Sequence, residues 1–155
     1  MPQDSVDFAV VAYREEGVWQ VSTLPSEVGA DFEEFVAALR PWPSDSGVLG
    51  LVSVDEDFFV LARVQGPHVR ALLSDVTAID EWPIASGVAD LLDVPDPEED
   101  DEPQPAGDLE IVSDLGMSAM DLAVLLDDGE LYPDEMLIDI ARRIGFGNQF
   151  EQLVG

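Results

Sequence analysis

Pro95 to Gly107, PDPEEDDEPQPAG, is the stretch that most limits how this 155-residue chain can fold. Its four prolines fix φ and remove backbone donors. Six of the seven positions from Asp96 to Glu102 carry a carboxylate, and no large apolar side chain interrupts them. A segment of this kind has nothing to bury and is expected to stay disordered. Extended in polyproline II style it reaches about 40 Å, so the parts on either side need not touch rigidly. The expectation is a folded unit over residues 1–94, an acidic proline-rich linker over 95–107 and a small helical tail over 108–155.

Charge sharpens this division. Seventeen carboxylates precede the stretch, six lie in it and eleven follow, against four and two arginines in the flanking units and no lysine. Each unit is therefore acidic in its own right, while a hydrophobic content of 46% is enough to build a core. Such a field repels phosphate backbones and anionic lipid, which argues against direct nucleic-acid or membrane binding and points to a basic protein as partner. Acidity that serves only solubility is the plainer alternative. There is no cysteine, hence no disulfide, thiolate nucleophile or cysteine zinc site. The N-terminus, MPQDSVDF, lacks the charged and apolar regions of a signal peptide, and no apolar run has membrane-spanning length, so a cytoplasmic location is expected.

Val6 to Tyr13 and Val18 to Leu24, separated by Arg14-Glu15-Glu16-Gly17, form the pattern of a β-hairpin with one buried face. Phe32, Phe35, Val36 and Leu39 share one stripe of a short helix, with Asp31 and Glu34 as its N-terminal signals and Pro41 and Pro43 as its stop. Val48 to Val54 and Phe58 to Val64 flank the acidic turn Asp55-Glu56-Asp57 as a second hairpin. His68 to Leu73 is a candidate fifth strand, and Ile84, Val88, Leu91 and Leu92 have helical spacing. The first unit therefore reads ββαββ(β)α, an α+β fold with an antiparallel sheet and helices on one face. After the linker the period becomes helical. Leu109, Val112 and Leu115 form one stripe ending at Gly116, and Ser118 and Asp121 open a helix with Leu122, Leu125 and Leu126 inward. Pro133 opens another, lined by Leu137, Ile140, Ala141 and Ile144, and Phe150 and Leu153 allow one last turn. The tail thus holds three to four short helices, each needing neighbours for stability.

Chemical machinery is sparse. His68 is the single histidine, with no nucleophile motif beside it, so it reads as a surface residue of a strand edge. The acidic run lacks the spacing of a calcium loop, and glycine-rich phosphate cradles are missing, so no metal or cofactor is expected. Adjacent carboxylates such as Glu33/Glu34 and Asp127/Asp128 point in different directions on a helix. Trp42 and Trp82 sit beside prolines, as partner anchors or as lids on the core edge. Arg142, Arg143 and Phe146 close the last long helix, as partner contacts or as a complement to its dipole.

The order of parts carries a resemblance. FAVVAYREEGVWQV, VLGLVSVDEDFFVLARV, an acidic linker and DLGMSAMDLAVLLDDGELYPDEMLIDIARRIGF together resemble the actinobacterial tRNA adenosine deaminase-associated proteins. The likeness spans nearly the whole chain and is most specific in the tail, where D-L-G is followed by P-x-E-x-L-x-x-I-A-x-x-I-G-F. The resemblance implies a non-enzymatic accessory protein whose partner is a tRNA adenosine deaminase, and it brings no catalytic residues with it. Two rival readings are an acidic nucleic-acid mimic that regulates another basic protein, and a small enzyme working through carboxylates in a cleft. Strand order, oligomeric state and the packing of the tail on the sheet stay open at this level.

Overall fold

The computed structural model describes residues 6–42, 47–54, 57–66, 68–79, 82–93, 105–128 and 131–154. Most of the expected linker, 95–104, and the turn residues Asp55 and Glu56 lie outside them. Strand β1, Val6–Glu15, turns through Glu16 (φ +53°) and Gly17 (φ +82°) into β2, Val18–Thr23. Two consecutive left-handed residues give the tight turn whose twist matches paired strands, and glycine accepts that conformation without strain. A short 3-10 turn, Ser26–Ala30, leads into α1, Phe32–Leu39, whose buried residues are Phe32, Phe35, Val36 and Leu39. The antiparallel meander β3 (Val48–Val54), β4 (Phe58–Gln65) and β5 (His68–Leu73) follows, and then α2, Pro83–Leu92.

The sheet order is β2-β1-β3-β4-β5-β6, antiparallel throughout. The sixth strand, Ala106–Gly107, pairs with Leu72 and Leu73, so the last two residues of the expected linker are built into the sheet. Beyond it the chain differs from the expected first tail helix. Residues 109–112 are turns and Ser113–Leu115 is a single 3-10 turn, with Ile111 and Val112 buried in place of the Leu109/Val112/Leu115 stripe. The α-helices of the tail are α3 (Ala119–Leu126), α4 (Pro133–Ile144) and α5 (Gly147–Val154). The Ser118 hydroxyl accepts from the Asp121 amide at 3.2 Å, and Pro133 occupies the first turn of α4. In α2, Leu91 is 44% exposed, and the buried stripe is Ile84, Ala85, Val88 and Ala89.

Both faces of the sheet are covered. Ala9, Val11, Val52, Val60, Ala62 and Leu73 meet α1 and α2 on one side. Val10, Ala12, Leu49, Leu51, Phe59 and Leu61 meet the tail helices on the other. All seven residues of β3 are buried, which is what covering on both sides demands of a central strand. Gly50 sits where a Cβ would come within 2.4 Å of the Phe35 ring, so its lack of a side chain lets α1 settle on the sheet.

Two arginines fasten the tail. Arg63 and Arg70 are directly opposed across β4 and β5, an arrangement that repels unless each charge is matched. Arg63 is 1% exposed; its Nη1 and Nη2 donate to the Asp114 carboxylate at 2.5 and 2.9 Å, and Nη1 also donates to the Ile111 carbonyl at 2.8 Å. Arg70 Nε donates to Asp108 at 2.6 Å. At the other end, Trp19 Nε1 donates 3.1 Å to the Ile144 carbonyl, and its ring lies 4.8 Å from that of Phe146.

Candidate partner-docking surface

On the tail side lies α3, whose eight residues AMDLAVLL include one polar side chain, Asp121. A helix apolar all round normally has neighbours all round. Here Leu122 and Leu125 face the core, while Met120 and Val124, one turn apart on the other side, are 77% and 68% exposed. Tyr132, just before α4, is 59% exposed.

A groove lies on each side of this ridge. One, of about 540 Å³, runs between α3 and the α4–α5 pair and has Leu125, Leu131 and Ile138 among its apolar lining. Its rim carries Asp121, Asp128, Glu135, Asp139 and Glu151 together with Arg142 and Arg143. The two cations are matched from within: Arg143 pairs with Asp121 at 2.6 Å, and Arg142 pairs with Glu151. The other groove, of about 710 Å³, lies between α3 and the loops around Asp57 and Asp75 and has Met120, Leu131 and Met136 among its apolar lining. The surface is therefore an apolar ridge between carboxylate-rich walls.

The remaining positive charges are also engaged by groups of the chain itself. Arg14 lies 5.6 Å over the Trp19 ring, and Arg40 donates to the Gly66 carbonyl at 3.3 Å. With Arg63, Arg70, Arg142 and Arg143, that accounts for all six basic side chains of the chain. Asp114 is held below its ordinary value of 3.8, first by its hydrogen bonds from the Arg63 guanidinium and then by the charges of Arg63 and Arg70, against a desolvation that pushes it up. Among the described residues no three of His, Asp or Glu gather closely enough to hold a metal ion.

The residues singled out from sequence do not come together. Arg142 and Arg143 are exposed on the rim of the first groove. Phe146 is fully buried between Trp19 and Phe150, so in this fold it is a core residue with no face to offer. Trp42 packs half-buried 5.4 Å from Tyr13, and Trp82 lies half-buried 6.0 Å from Phe58, both against the α1–α2 core on the other side of the sheet. The Trp82 indole nitrogen has no hydrogen-bond partner among the described residues. His68 is exposed at the start of β5. Met120 and Val124 were overlooked because the leucines alone satisfied the helical stripe; the signal was the near-absence of polar residues to occupy the opposite face.

A family model described as Rv3753c-like tRNA adenosine deaminase-associated protein matches residues 7–147, which include all of the sheet but its first residue, and α3 and α4. Protein Rv3753c of Mycobacterium tuberculosis (strain ATCC 25618 / H37Rv) is 40% identical over 150 residues, covering 95% of this chain and 87% of that protein. No solved structure matches significantly.

Proposed function

The chain belongs to the Rv3753c-like tRNA adenosine deaminase-associated family, and from that premise we propose that it is a non-enzymatic accessory protein that docks on a basic partner, the tRNA adenosine deaminase. The observation that carries this reading is that all six arginines are engaged by groups of this chain, four of them by its own carboxylates, while the sequence holds 34 carboxylates against those six cations. A protein that holds tRNA must present cations to phosphate, and this acidic surface is complementary to one. With one histidine and no cysteine, the chain lacks the ligand set with which zinc deaminases activate water. Its effect is therefore exerted on the enzyme, by steering, shielding or steadying its basic face. The deaminase of the same organism, mixed with the full chain, is expected to co-elute at low salt and to separate progressively as salt rises. Absence of a complex at low salt would refute the reading.

A further inference from the structure

The ridge of α3 has a shape and a chemistry more specific than general acidity. We propose that its outward face, Met120 and Val124, is the docking site for one amphipathic helix of the basic partner, with the apolar side of that helix on the ridge and its lysines or arginines against the groove carboxylates. That the helix belongs to the deaminase rests on the reading above; the position of the surface does not.

Several observations converge on this occupant. At eight residues α3 is about 12 Å long, which suits two turns of a helix meeting it through positions i, i+3 or i+4, and i+7. The exposed apolar side chains lie in the middle, with carboxylates on both flanks: Glu135 and Asp139 along one groove, where Arg143 and Arg142 already match Asp121 and Glu151, and Asp57, Asp75 and Asp127 along the other. An apolar centre with a charged rim is the anatomy of an interface that excludes water around a few anchoring contacts. Methionine suits such a role because its flexible, polarizable side chain adapts to the surface it meets. The same rim disfavours a second copy of this chain, since a two-fold contact would set these carboxylates against one another, and it repels nucleic acid.

The test uses the full chain and a synthetic amphipathic peptide with leucines at helical spacing and lysines on its flanks, compared with a scrambled peptide of the same composition. Amide chemical shifts should change mainly over residues 117–136, and the patterned peptide should bind about tenfold tighter than the scrambled one. The double substitution Met120→Ser and Val124→Ser should abolish that difference without moving the melting temperature, because both side chains are exposed. Equal binding of the two peptides, or shifts centred on α1 and α2, would overturn the assignment. A homodimer dissolved by the same substitutions would overturn it as well, by giving the ridge to a second copy. With the deaminase, the double variant should dissociate about tenfold faster at an unchanged salt dependence. If the deaminase binds wild type and variant alike, the surface assignment falls and the partner reading stands. If it ignores both while the peptide behaves as expected, the partner reading falls and the surface stands.

Discussion

Removing either half of the Arg63–Asp114 pair should have unequal consequences, and the inequality follows from where the two groups sit. The Arg63 side chain is 1% exposed and that of Asp114 is 56% exposed. Asp114→Ala leaves a buried guanidinium without the Asp114 counter-charge. Breaking a buried pair in this way costs about 3 to 5 kcal/mol, and the partial solvation of Asp114 places the loss near 3. Arg63→Met removes the buried charge together with its desolvation cost, fills similar volume with apolar atoms and lets Asp114 return to water. The Ile111 carbonyl then loses a donor, a loss of about 1 to 2 kcal/mol. In the R63M background, Asp114→Ala should then change stability by only about 0.5 kcal/mol, so the double-mutant cycle yields a coupling of about 2 to 3 kcal/mol. Urea denaturation with a check that m is unchanged supplies the four values. A larger loss for R63M than for D114A, or a coupling near zero, would refute the reasoning, since the guanidinium would then be stabilised by something other than Asp114.

The same carboxyl sets a pH window. Its folded value is lowered, so the stability it contributes is fully present above the ordinary value of 3.8 and lost as pH falls through it to the lower folded value; the stability gap between wild type and Asp114→Asn should close over that range in parallel urea titrations. Gly50→Ala places a Cβ 2.4 Å from the Phe35 ring and 2.8 Å from Leu39 and should cost about 1 to 3 kcal/mol by overpacking, read from the denaturation midpoint. A chain ending at residue 94 uncovers Val10, Leu49, Leu51, Phe59, Leu61 and Leu72, and should bind a hydrophobic dye or aggregate; a soluble, dye-silent product would show that the sheet does not need the tail layer.

Strands and helices announced themselves in the sequence where the pattern was local. The hairpin from Val6 to Thr23, the Phe32/Phe35/Val36/Leu39 stripe and the Leu137/Ile140/Ala141/Ile144 face all rest on side chains a few residues apart. The second cover of the sheet depends on contacts far apart in the chain, such as Trp19 to Ile144, and no local period reports those. A signal was nonetheless present. VLGLVSV and FFVLARV are apolar in both phases, which a strand with one wet face would not be, and Arg63 near the end of the second run required a counter-charge from elsewhere. The segment 109–115 has helical spacing but folds as turns, because Asp108 and Asp114 are drawn to Arg70 and Arg63 and the backbone follows them. The exposed ridge of α3 was the hardest to read. Met120 and Val124 differ from core residues only by exposure, which is decided by the helices that do not reach them.

That α3 combines an exposed apolar ridge with a place in the shared core has a thermodynamic consequence. It is joined to α4 through Leu122, Leu125 and the Arg143–Asp121 pair, and α4 is joined to the sheet through Ile140, Ile144 and the Trp19 indole. A ligand that binds the folded form alone stabilises it by RT ln(1 + [L]/Kd), about 2.7 kcal/mol at a hundredfold excess over Kd. Because the tail layer is also one wall of the sheet's core, that stabilisation cannot remain on α3 unless the layer peels off by itself. Arg63, Arg70 and Trp19 resist such peeling at both ends of the layer. A ligand seated on the ridge would therefore act on the stability of β4 as well as on the helix it touches, so that the whole folded state would respond to whether it is bound.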